Sequence, residues 1–312
     1  MTMLSRVAER VYWMGRYLER AESTARLLDS YHHMVMDIPR GSQPGWDILV
    51  RILDAQPIAA RHFRVAKEAN VVRLLVAQDD AACSIPHGVR LARENVRTTR
   101  DVLPEEVWEL INELYLFTRD QAEKSVGRRH RQAFLQEIVS RCQVINGVWR
   151  NTLYRDHSYR FIKIGQLLER ADMGSRVIDV GASDILARAG SREAIDHLLW
   201  GTLLNSLSAF GAYRRVVGPI VEPGAVVDFV FMEQAFPRSV RFCLRGIREE
   251  LTPLGRNEAS LRVVERARRR LRRFSRQPWD REALHAFIDD LQAVLCALHG
   301  AISDTWFRVD GR

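Results

Sequence analysis

Two acid–arginine clusters with the same spacing lie 150 residues apart: Glu19, Arg20, Glu22 and Arg26, then Glu169, Arg170, Asp172 and Arg176. On a helix, acids three residues apart share one side, and an acid followed four residues later by arginine forms a favourable pair. Three chemistries fit such a set. The pairs can lock two helices in register, in which case removing one buried partner strands a charge at about 3–5 kcal/mol. Arginines held by acids can instead present fixed forks to a carboxylate or phosphate in a polar cleft. The acid-x-x-acid pairs Glu19/Glu22 and Glu169/Asp172 also have the donor chemistry of a magnesium–diphosphate site, although nearby arginines repel a metal. All three readings stay open; no metal-ligand set is assigned and no cofactor is expected.

The elements that must position these residues are legible around them. Residues 14–29 and 164–179 share seven of sixteen positions, among them Gly15/Gly165, Leu18/Leu168 and Asp29/Asp179. A second block, Ile85-Pro86-His87-Gly88-Val89-Arg90, matches Phe236-Pro237-Arg238-Ser239-Val240-Arg241 at nearly the same offset. A repeat of this period implies one structural unit used twice. Leu4, Val7, Val11, Met14, Leu18, Ala21, Ala25 and Leu28 recur in steps of three and four, which predicts a helix over about 3–37. Further helices are expected over 46–55, 58–78, 86–102, 104–124, 129–151, 154–180, 191–215, 225–234, 238–252, 258–276 and 281–303. Ser191 is the expected cap of the 191–215 helix. No stretch alternates with period two. The expected fold is all-α: a two-lobed helical bundle built from an internal duplication, 1–152 and 153–312, as one continuous unit. Arg20 and Arg170 project away from the shoulder that carries the other charges.

The net charge of +8 suggests nucleic acid until it is located. Eight arginines between Arg262 and Arg276, against the single Glu265, hold seven of those charges. Leu261, Val264, Ala267, Leu271 and Phe274 return among them at helical spacing, so this is an amphipathic helix with a basic face. It suits an acidic partner surface or peptide better than nucleic acid, since no nucleic-acid motif accompanies it. No leader segment or apolar run near 20 residues is evident, so a cytoplasmic protein with no membrane association is expected. The four cysteines show no C-x-x-C and read as buried thiols. Neither His32-His33 nor Glu282/His285 completes a metal motif. Arg16, Arg93, Arg214, Arg238 and Ser239 are candidate anion-binding residues, the last two at a helix start set by Pro237. Catalytic residues are not assigned.

Longer blocks carry a family resemblance. They run from Met3-Leu4-Ser5-Arg6-Val7-Ala8-Glu9-Arg10-Val11-Tyr12-Trp13 into Gly15-Arg16-Tyr17-Leu18-Glu19-Arg20-Ala21-Glu22. Ala92-Arg93-Glu94-Asn95-Val96-Arg97, Glu106-Val107-Trp108-Glu109, Leu168-Glu169-Arg170-Ala171-Asp172, Ala212-Tyr213-Arg214-Arg215 and Phe236-Pro237-Arg238-Ser239-Val240 follow. In these the chain resembles the alpha-E family, bacterial all-helical proteins named for a Glu-Arg motif. Gln166 stands where the family tends to have arginine, as Arg16 does in the first copy. The resemblance implies association with an ATP-grasp protein and a transglutaminase-like protein in a peptide- or amide-bond-forming system. Its implied role is an accessory or substrate-holding component. The alternative is an enzyme, possibly Mg-dependent, acting on an amide, acyl-phosphate or diphosphate group in the cleft.

Overall fold

The computed structural model describes residues 4–39, 43–186, 193–274 and 280–308, and every regular element among them is helical. Two long helices, α1 (Ser5–Asp37) and α8 (His157–Leu186), cross at the centre. The short helices α2 (Asp47–Ile52), α3 (Gln56–His62) and α4 (Glu68–Val76) follow α1. Then α5 (Ile85–Arg97) and α7 (Arg128–Thr152) pack on α1, with α6 (Glu105–Gln121) between them. After α8 come α9 (Glu193–Ser206), α10 (Phe210–Val216) and α11 (Pro223–Met232). Then α12 (Val240–Leu251) and α14 (Arg281–Ile302) pack on α8, with α13 (Glu258–Phe274) between them. Two elements exchange sides: α2 packs on α8, and α9 on α1.

The three-and-four seam of α1 is buried as expected from Val11 through Met14, Leu18, Ala21 and Ala25 to Leu28, while Leu4 is exposed. α8 is apolar on more than one side, burying Phe161, Ile162, Ile164, Leu168, Ala171 and Ile178. That suits a helix enclosed by α1, α12 and α14. One apolar core runs through both halves.

The crossing is set by two glycines. A methyl group on Gly15 would lie 2.3 Å from the carbonyl oxygen of Ile162, and one on Gly165 would lie 2.2 Å from that of Tyr12. Backbone therefore meets backbone where α1 crosses α8, and each helix supplies both a glycine and a carbonyl.

Two expected helices divide into two α-helices each. Residues 58–78 split at Phe63–Lys67, where Phe63 is extended. Residues 191–215 split at Leu207–Ala209, where Ser208 takes a left-handed φ of 54°. That bend buries Tyr213, whose hydroxyl donates to the Ile220 carbonyl at 3.0 Å and holds the loop before α11. Neither break carries the Pro or Gly signal that would announce it. Ser191 lies outside the described residues, as does Arg276. Arg281–Phe307 is long and apolar enough to cross a membrane by length and composition alone, unlike the shorter runs read from the sequence. Here Leu284, Ile288, Leu291, Leu295 and Leu298 are buried along one face, which packs against α8 and α13.

Candidate functional site: the ion-pair layer at the helix crossing

One and two turns beyond the glycines, the acid–arginine clusters meet. Arg170 donates Nε to Glu19 Oε1 at 2.9 Å and Nη2 to Oε2 at 2.6 Å. Reciprocally, Arg20 donates Nε to Glu169 Oε1 at 2.5 Å and Nη2 to Oε2 at 3.1 Å. Each half's glutamate is thus gripped by the other half's arginine. This corrects the expectation that Arg20 and Arg170 point away: projection of an isolated helix omits the partner crossing it at Gly15 and Gly165. The i,i+4 pairs form as expected, Arg26 Nε to Glu22 Oε1 at 2.9 Å and Arg176 Nε to Asp172 Oδ2 at 3.0 Å.

Each buried glutamate receives a second guanidinium, from a different source. Arg16, stacked over the Trp13 ring, donates to Glu169 at 2.6 Å. Gln166 takes Arg16's place in the other copy and turns instead to Asn146 (2.9 Å) and Arg150 (2.6 Å). Arg238 fills the gap, donating Nη1 to Glu19 at 2.8 Å and Nη2 to Glu22 at 2.7 Å. Asn146 adds a longer contact to Glu22 at 3.4 Å.

Burial alone would raise the carboxyls of Glu19 and Glu169; the guanidiniums overcome it and hold both at about 2. A carboxylate whose folded pKa is depressed contributes stability that is present above its unfolded value, near 4.3, and lost as pH falls toward 2. The melting temperature is therefore expected to be nearly level from pH 7 to about 5 and to fall steeply between about 4 and 2. Thermal melts of wild type and Glu169→Gln across that range check this. An equally steep fall in the variant would place the acid sensitivity elsewhere.

On the α8 side the layer adjoins an open cavity. A cavity of about 180 Å³ is lined by Arg20, Glu169, Asp172, Arg176, Asp54 and Cys83, with Leu53, Ile58 and Met173 among the apolar residues beside them. Burial pushes the Asp172 carboxyl above its usual range despite Arg176. Burial also raises the Cys83 thiol to about 11, so it is protonated at neutral pH. Arg176 also reaches Asp54 at 3.4 Å. Cys83, Asp54, Asn146 and Arg150 were not selected from the sequence: Asn146 and Arg150 share one turn of α7, but Asp54 and Cys83 come from the loops after α2 and before α5, and nothing in their spacing marks the set.

Other candidates lie away from the layer. Arg93 ties α5 to α6 through Asn112 at 2.8 Å and lies over the Trp108 and Tyr115 rings. Arg214 lies over Phe210 on α10. Ser239 is buried as the N-cap of α12: its hydroxyl accepts the Phe242 amide at 3.1 Å and donates to the Glu233 carbonyl. Ser84 caps α5 in the same manner, accepting the His87 amide at 3.2 Å and donating to the Gln78 carbonyl. The matching caps shift the second repeated block by four residues, from Ile85 opposite Phe236 to Ser84 opposite Ser239. His285, considered with Glu282, bonds Asp179 at 2.7 Å. The thiols of Cys83, Cys142 and Cys243 are buried as expected, but Cys296 is exposed.

Comparison with known proteins agrees with the all-helical class. Uncharacterized proteins of Mycobacterium bovis and Mycobacterium tuberculosis are 23% identical over 323 aligned positions, covering 96% of this chain. The match takes up 36% of each relative, so the chain spans about a third of their length. No solved structure gives a significant match. The family described as a predicted alpha-helical domain with a conserved ER motif, Alpha-E, matches residues 3–307, and the chain belongs to that family.

Proposed function

We propose that the protein is a substrate-holding, accessory component of a bacterial, cytoplasmic amide-ligase system, working with an ATP-grasp protein and a transglutaminase-like protein. The observation that carries this reading is the state of the repeated acids. A general base at neutral pH needs a pKa near 7 and a free oxygen. Glu19 and Glu169 are held near 2, with both oxygens of each bonded to guanidiniums. Their chemistry is positional: they fix the α1/α8 crossing and the walls of the adjoining charged cavity. We further propose that the chain is one helical unit used twice, over 1–152 and 153–312. The exchanged glycine, glutamate and arginine contacts support it.

The partner surface in this reading is the outer face of α13. Arg262, Arg266, Arg269 and Arg273 are exposed along it, while Val264, Ala267 and Leu271 anchor its other side. Such a stripe steers an acidic surface into contact, with strong dependence on salt. The much greater length of the mycobacterial relatives is consistent with a domain that works alongside others. The test is co-purification with an ATP-grasp protein from the same organism, at low and moderate salt. Association at low salt is expected, weakened by about tenfold in R269E/R273E. No association at either salt, with ligase activity undiminished when this protein is absent, rejects the proposal.

A further inference from the structure

The cavity and the Arg238 site occupy corresponding positions once the two capping serines are aligned. Ser84 and Ser239 then match, as do the helices they start, and buried Val71, Val72 and Leu75 of α4 fall on buried Val226, Val227 and Val230 of α11. In this register the residue before the serine is Cys83 in one half and Arg238 in the other. Around Arg238, a guanidinium bridges two acids one turn apart on α1, Glu19 and Glu22. Around Cys83, the matching acids on α8 are Glu169 and Asp172, but no side chain extends between them from the loop, and the space is the 180 Å³ cavity. Such a volume far exceeds the roughly 15 Å³ needed to hold one water.

The charges decide what the cavity takes. Arg20 spends Nε and Nη2 on Glu169, and Arg176 faces Asp172 and Asp54. Glu169 is fully engaged by Arg16 and Arg20. Asp172 bonds one guanidinium through Oδ2, whereas Glu22 bonds two. Of the two α8 acids, the one with spare acceptor capacity is therefore Asp172. Leu53, Ile58 and Met173 flank it with apolar surface suited to methylenes.

We propose that this cavity binds the guanidinium or primary ammonium of a basic peptide side chain, with Asp172 accepting the charged head in the way that Glu22 accepts Arg238. The inference rests on the substrate-holding reading and names its substrate class.

The test uses the full chain with two probes, N-acetyl-arginine amide and N-acetyl-glutamate amide, read by titration calorimetry and by the shift in melting temperature. The arginine probe is expected to bind saturably and the glutamate probe not to bind. D172N should weaken arginine binding by about tenfold or more. C83R, which supplies from within the group that Arg238 supplies in the other half, should abolish binding without lowering the melting temperature. If C83R does not fold, D172N decides alone. Preference for the glutamate probe, no binding of the arginine probe at millimolar concentration, or undiminished binding by D172N overturns the inference. A chain that associates with the ATP-grasp protein yet ignores the arginine probe loses this inference and keeps the proposed role.

Discussion

Glu19→Ala is expected to lower stability by about 3–5 kcal/mol, roughly 5–10 °C in melting temperature for a chain of this size. Glu19 is fully buried and takes three charge-assisted hydrogen bonds, two from Arg170 and one from Arg238. Its removal leaves two guanidiniums facing each other in a buried site, beside a third at Arg150. Arg170→Ala should be similarly damaging, and the double variant should do less harm than the sum of the two. A coupling of about 0.5–3 kcal/mol in a double-mutant cycle is the expected measure. Denaturant melts of the four proteins supply it. A loss below about 1 kcal/mol for Glu19→Ala would mean that solvent enters the layer freely.

Gly15→Ala and Gly165→Ala are expected to be as severe through a different mechanism. The added carbon would meet a backbone carbonyl at 2.3 Å and 2.2 Å respectively, and neither carbonyl can rotate away as a side chain could. The helices must separate, which lengthens the ion pairs one and two turns further along. Overpacking of this kind costs about 3 kcal/mol or more. An alanine in place of glycine otherwise stabilises a helix by about 1 kcal/mol, so the sign of the result separates the two effects. Gly300→Ala in α14, where an added carbon meets nothing within 4 Å, is the control and should be neutral or stabilising. Equal behaviour of Gly165→Ala and Gly300→Ala would contradict the tight crossing.

The α1 seam, the i,i+4 pairs and the all-helical class were legible because each depends on residues a few positions apart. The exchange of arginines was not. Periodicity places Arg20 on a helix but says nothing of a second helix close enough for its guanidinium to reach Glu169. In the second repeated block a comparison of letters pairs Pro86 with Pro237, whereas the two capping hydroxyls pair Ser84 with Ser239, a register four residues different. The stronger pattern is Ser84, Arg90, Arg93 and Glu94 against Ser239, Arg245, Arg248 and Glu249, and the hydroxyl caps explain why the serines must match. Cys83 carried no signal at all: its importance lies in being smaller than Arg238.

The exchanged pairs also fix an order of events during synthesis. Arg20 leaves the ribosome about 150 residues before Glu169, an interval of roughly 7–30 s at ~5–20 residues per second. Through that interval the nascent α1 carries Glu19 and Arg20 without the partners that neutralise them, and Gly15 without the carbonyl it abuts. The first half can form helices but cannot close its charged centre until α8 emerges. The chain's decisive long-range contact is therefore also a late one, and a growing chain stalled before residue 169 presents an open, salt-sensitive surface to whatever binds it first.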